Sequence, residues 1–217
     1  MNKQFDLLIF DWDGTLIDTI DWITHSLQEA AVRCGCDVPE AQAAKNVIGL
    51  SIQAATSTLH PEVDTPTHEK LVQHYTQIYG SKHLTRDDLF PNTFEMLVEL
   101  KQSGYQLAVA TGKTRRGLQA ALHATETEHL FTVTRSADET RSKPDPTMLM
   151  EIMQLTKNPP ERSLMIGDSS HDLQMAKNTR ISSVAVACGA NSKESLQSHQ
   201  PLLCLDYATE LLSHLIR

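Results

Sequence analysis

The chain has 217 residues, a hydrophobic fraction of 40% and a formal net charge of −8. That length supports one full domain with an insertion, or two small domains, and a core that folds without staples. The acidic balance argues against nucleic-acid binding, which needs a basic face, and no apolar run approaches the length that spans a bilayer.

The amino terminus has one lysine and then an apolar run broken at once by Asp11, so it lacks the features of a signal peptide. A cytoplasmic protein is expected. Residues 5–10, dense in Leu, Ile and Phe, read as a buried strand of a parallel sheet. The run stops in Asp11-Trp12-Asp13-Gly14-Thr15. Ligands of open α/β sheets sit outside the carboxyl ends of the strands, which makes Asp11 and Asp13 candidate functional residues; taken alone, the run reads equally as a solvated acidic turn.

Four helical patterns follow, over 18–35, 39–48, 51–59 and 66–79, with Gly35, Gly49 and Gly80 as stops and His60-Pro61 as a break. Cys34-Gly35-Cys36 reads as a helix end. With Cys188 and Cys204 these cysteines show neither zinc spacing nor Cys-x-x-Cys, the pattern of free thiols in a reducing compartment. The polar, Pro-bearing stretch 84–91 reads as a connector returning from an inserted domain. Asn92 then caps a helix through 101. Beyond it strands at 105–110, 131–134, 163–166 and 181–187 alternate with helices at 114–123, 146–155 and around 173–178, and the tail adds a helix, a strand and a closing helix. The alternation predicts a parallel sheet covered on both faces. The expected architecture is a Rossmann-like α/β core of residues 1–17 and 88–217 with a helical cap of residues 18–87 inserted.

Three later stretches belong at the same sheet edge as Asp11: Thr111-Gly112-Lys113, Ser142-Lys143-Pro144-Asp145-Pro146, and Gly167-Asp168-Ser169-Ser170-His171-Asp172. Together with Asp-x-Asp-Gly-Thr they occur in the order typical of the haloacid dehalogenase superfamily, and nearly the whole chain resembles a phosphatase of its helical-cap branch. The resemblance implies that Asp11 is the nucleophile that carries the phosphoryl group and that Asp13 is the general acid and base. It implies Mg²⁺ as cofactor, held by Asp11, the backbone carbonyl of Asp13 and Asp168, with Asp172 orienting a metal-bound water. Asp172 alone reads as a solvated acid in a helix's first turn. Thr111, with backbone N–H groups of Gly112 and Lys113 at a helix start, and Lys143 are the expected phosphate binders. Arg116 reads as a solvated helix face and His171 as an exposed helix-start residue. Trp12 either narrows the pocket or packs under the cap.

The cap's two connectors suit a lid that excludes water. Lys45, Asn46 and the Gly49-Leu50-Ser51 turn are candidates for the loop that faces substrate, although an ordinary inter-helix turn explains them as well. A covered site implies a small phosphorylated metabolite, phosphoglycolate-like by overall resemblance, with a sugar phosphate, a mononucleotide and pyrophosphate as other candidates. The rival functions are a phosphomutase on the same scaffold and a non-enzymatic phospho-acceptor. Oligomeric state leaves no mark in the sequence.

Overall fold

In the computed structural model, which describes residues 4–216, strand β1 (Leu7–Phe10) is buried throughout and feeds two cores at once. Leu8 and Phe10 enter one apolar cluster, Leu7 and Ile9 another, as the two-residue period of a strand requires. Residues 1–3, including the lysine used in the signal-peptide argument, lie outside the described residues, as does residue 217.

Between β1 and β2 (Gln106–Thr111) the chain forms α1 (Ile20–Cys34), α2 (Ala41–Asn46), α3 (Ile52–Leu59) and α4 (Thr65–Tyr79). It continues through α5 (Thr93–Gln102), which precedes β2, and α6 (Arg115–Ala124), β3 (Val133–Ser136), α7 (Thr147–Thr156), β4 (Ser163–Gly167), α8 (Ser170–Thr179) and β5 (Ser182–Val186). The tail adds α9 (Lys193–Gln197), β6 (Leu203–Leu205) and α10 (Leu211–Leu215). The strands make one sheet, every pair parallel, in the order β3-β2-β1-β4-β5-β6. β1 therefore sits where the strand order reverses, and its carboxyl end opens the crevice in which such sheets bind ligands. Met96, Leu97 and Leu100 of α5 with Leu118 and Leu122 of α6 cover one face. Met148, Leu149 and Ile152 of α7 with Met175 of α8 cover the other.

The inserted helices have a core of their own, built from Ile20, Ile23 and Leu27 of α1, Ala44 of α2, Val47, Ile48 and Ala55, and reached from the sheet side by Ala190. Gly35, at φ 66°, ends α1 as its sequence suggests. Ser51 caps α3 and Asp64 caps α4, each by accepting a backbone N–H. The two connectors run side by side: the Asp18 N–H donates to the Asp88 carbonyl at 2.9 Å and the Phe90 N–H to the Leu16 carbonyl at 3.0 Å.

Three local expectations need correction. The helix expected to reach residue 48 stops at Asn46, because Gly49 at φ 98° turns the chain. The strand expected at 131–134 lies two residues later, since Phe131 spends its side chain on the core, edge-on to Trp12. Asn92 starts α5 through a left-handed backbone (φ 62°), without a side-chain cap. All four cysteines are free. No helix of the described residues is long and apolar enough to cross a membrane.

Candidate active site

β1 delivers Asp11 to the crevice: its N–H donates to the Ile166 carbonyl at 2.9 Å, so the backbone is still held against β4 as the strand ends. The Trp12 N–H donates back to Asp11 Oδ1 at 2.6 Å. Gly14 follows at φ 77°, and a β-carbon there would stand 2.3 Å from Asp168 Oδ2, so the turn has room for glycine alone.

Asp11, Asp168 and Asp172 are buried, and one carboxylate oxygen from each lies within 4.8 Å of the others. Lys143 is buried beside them, with Nζ 2.8 Å from Asp11 Oδ1 and 2.6 Å from Asp172 Oδ1. Burial lifts the Asp11 carboxyl well above the ordinary range, and Lys143 only partly opposes this. Burial, and then the neighbouring Asp172, push Asp168 up to about 7, against the Ala190 N–H at 2.7 Å and the Thr15 hydroxyl at 2.8 Å. Burial also works against the Lys143 ammonium, but Asp11 and Asp172 outweigh it and hold that group above its usual value. Three buried carboxylates thus face one ammonium. Such a set of oxygens with surplus negative charge fits a small hard cation.

Asp172 is more than a first-turn acid. Its Oδ2 accepts from the Ser169 hydroxyl at 2.6 Å and N–H at 3.2 Å, closing the capping box of α8, while Oδ1 takes Lys143.

Asp13 turns the other way, towards the inserted helices. Its Oδ1 accepts from the Thr19 hydroxyl at 2.6 Å and the Tyr79 hydroxyl at 3.2 Å, and lies 3.0 Å from Lys113 Nζ. Lys113 also donates to the Tyr79 hydroxyl at 2.6 Å. No motif in the sequence marks the contact of the Lys113 ammonium with Asp13 or the part of Tyr79 in it. Thr15 stood in the first motif without a role, and nothing in the sequence pointed to the N–H of Ala190.

A cavity of about 440 Å³ lies between sheet edge and inserted helices. Asp11, Asp13, Thr111, Gly112 and Lys113 line its core side, and Gly49 and Leu50 are on the opposite wall. A β-carbon on Gly112 would come 2.4 Å from the Leu50 carbonyl oxygen, which shows how closely the two parts meet. Lys143, Asp168 and Asp172 lie behind Asp11 and do not line the cavity.

Several expectations change. Lys45 is not among the lining residues; it pairs with Asp21 at 3.2 Å. Ser51 does not line the cavity either, but its N–H donates to Ser142 Oγ at 2.8 Å across the junction. α6 begins at Arg115 behind the cap residue Thr114, so Gly112 and Lys113 precede the helix, and the Lys113 N–H is taken by Thr111 Oγ1 at 3.2 Å. Trp12 neither narrows the cavity nor packs under the inserted helices; it is buried in the main core. His171 touches the insertion through Nε2 and the Asn46 carbonyl at 3.0 Å. Arg116 is exposed and lines the cavity.

A sequence profile described as haloacid dehalogenase-like hydrolase matches residues 8–186. The chain belongs to this family. Haloacid dehalogenase-like membership makes it a hydrolase and sets aside the phospho-acceptor alternative. It is 27% identical over 210 residues to pyrophosphatase PpaX of Bacillus cereus strain Q1, covering 96% of this chain and 95% of that protein. Among solved structures, a predicted phosphoglycolate phosphatase from Haemophilus somnus 129pt shares the fold with a TM-score of 0.84 at 24% identity, over 99% of each chain. A β-phosphoglucomutase from Clostridium difficile shares it with a TM-score of 0.83 at 17% identity, over 95% of this chain and 93% of that one.

Proposed function

We propose that the chain is a Mg²⁺-dependent phosphatase of a small phosphate monoester, working through a phosphoryl group carried on Asp11. The observation that supports this most is the pairing of Asp11 and Asp13 on one cavity wall, with opposite surroundings. Asp11 is backed by Lys143, and Asp13 is held by the hydroxyls of Thr19 and Tyr79 and by Lys113.

In this reading an Asp11 carboxylate oxygen attacks phosphorus, the ester P–O bond breaks in line, and Asp13 gives the leaving oxygen a proton. Water then attacks the phosphoaspartate as Asp13 takes its proton, which frees phosphate and restores both carboxyl groups. Lys143 offsets the repulsion between Asp11 and an incoming dianion, and Thr111 at the end of β2 receives a phosphoryl oxygen. Asp11, the Asp13 carbonyl and Asp168, with Asp172 behind them, would hold Mg²⁺, which supplies charge neutralisation for the phosphoryl oxygens and buried carboxylates. Residues 18–87 act as a cap on a core of 1–17 and 88–217, closing over the metabolite. Four free thiols favour a reducing, cytoplasmic setting.

The decisive experiment is release of inorganic phosphate from a panel of small esters with Mg²⁺. Asp11→Asn is expected to lower the rate by at least about a thousandfold, and an unchanged rate excludes the mechanism. The full-length likeness to a pyrophosphatase puts pyrophosphate in the panel, since the same two steps cleave an anhydride. A phosphomutase would instead return the phosphoryl group to a sugar and require a bisphosphate, which product analysis distinguishes.

A further inference from the structure

The two walls of the cavity differ in chemistry. The core wall carries the carboxylates and Thr111, whereas the wall supplied by the inserted helices is made of Leu27, Val47, Ile48, Leu50, Ile52 and Tyr75. Among the described residues, no charged side chain from 18–87 lines the cavity. Three hydroxyls lie on that wall: the Thr76 hydroxyl donates to the Val72 carbonyl at 2.7 Å within α4, the Tyr79 hydroxyl is bound to Asp13 and Lys113, and the Tyr75 phenol adds a neutral hydroxyl but no charge. Tyr75 stacks on Tyr79 with centroids 5.7 Å apart, so the pair forms a stiff aromatic side. Two cations line the cavity from the core: Lys113 is held by Asp13, and Arg116 lies exposed, where water screens its charge.

We infer that this half of the cavity binds an apolar leaving group: the preferred substrate is the phosphate monoester of an apolar or aromatic alcohol, not one whose far end is a carboxylate or a second phosphate. The inference rests on the phosphatase reading of the same site. A carboxylate or phosphate pressed against this wall would lose its hydration and meet no counter-charge, which is costly. Each methylene or aromatic edge placed there leaves water for an apolar surface and gains. The volume of about 440 Å³ leaves room for such a group, for it falls within the roughly 300–1,000 Å³ range of pockets that enclose drug-sized ligands.

The test measures phosphate release by the full-length protein with Mg²⁺ from methyl, butyl, hexyl and phenyl phosphate, with phosphoglycolate and pyrophosphate alongside. kcat/KM is expected to rise about fourfold for each methylene until the cavity is filled, and phenyl phosphate should exceed both anionic compounds. A flat alkyl series, or a higher kcat/KM for phosphoglycolate or pyrophosphate, overturns the inference and leaves the phosphatase reading intact. No phosphate from any compound defeats both. Ile52→Asn should flatten the chain-length dependence; should that variant fail to fold, as judged by circular dichroism, Ala55→Leu should shorten the longest alkyl chain accepted. An unaltered series in a folded variant counts against the apolar wall.

Discussion

The carboxyl of Asp168 is held at about 7 by burial and by Asp172, well above its ordinary value of 3.8. Without a cation the folded chain therefore prefers Asp168 protonated more strongly than the unfolded chain does. Stability from this group is complete below about pH 4 and is lost as pH rises towards 7. Burial moves Asp11 in the same direction. Chelator-treated protein should show a Tm that falls through this window, and Mg²⁺ should remove most of the fall by taking the proton's place; Asp168→Asn should show a shallower slope in chelator. A Tm that rises or stays level with chelator would contradict the electrostatic account. At this scale the motif residues were legible because each motif is a short run: Asp11 and Asp13 share one turn, Asp168 and Asp172 another. Tyr79 was not, since nothing near it in sequence shows that a tyrosine 66 residues from Asp13 donates to that carboxylate.

Periodicity carried most of the element-level expectations. β1, β2 and β4 are buried on both faces over nearly all their length and read as apolar runs, while Gly35 and Gly80 marked helix ends by local chemistry. It misplaced β3 because Phe131 looks like a strand residue but serves as a core wedge against Trp12. The turn after β2 is where an element-scale change should tell most. Gly112→Ala would drive a β-carbon to 2.4 Å from the Leu50 carbonyl oxygen and 2.6 Å from that of Gly49, both backbone atoms that cannot rotate aside. The helices must then move off the sheet edge. The expected result is a loss of kcat/KM on the order of a hundredfold, because displaced positioning groups lose their alignment, with little change in far-ultraviolet circular dichroism. Wild-type kinetics in this variant would show that the contact does not govern closure.

Across the whole molecule, two paired connectors join the inserted helices to the sheet, and the junction beyond them combines polar contacts, Ser51 with Ser142, His171 with Asn46 and Tyr79 with Lys113 and Asp13, with the apolar contact of Ala190 and the close approach of Gly112 to Leu50. Such a junction suits opening and closing about the connectors. Orthovanadate with Mg²⁺, which occupies a phosphoryl site, should hold the halves together. Trypsin cleavage at Lys82 and Arg86, just before and within the returning connector, should slow several-fold, and Tm should rise. Unaltered cleavage would argue against a closing cap.

By itself the sequence determined the parallel α/β architecture, the run of helices that follows the first strand and the order of the acidic motifs, because these depend on hydrophobic period and on residues close together in the chain. Only the tertiary structure decided which wall of the cavity is charged and which apolar, that Lys113 and Tyr79 meet Asp13, and that Lys45 turns away to Asp21. Those facts depend on how α1 to α4 are set down on the sheet edge. That placement is governed by packing among residues far apart in sequence, to which a local pattern is blind.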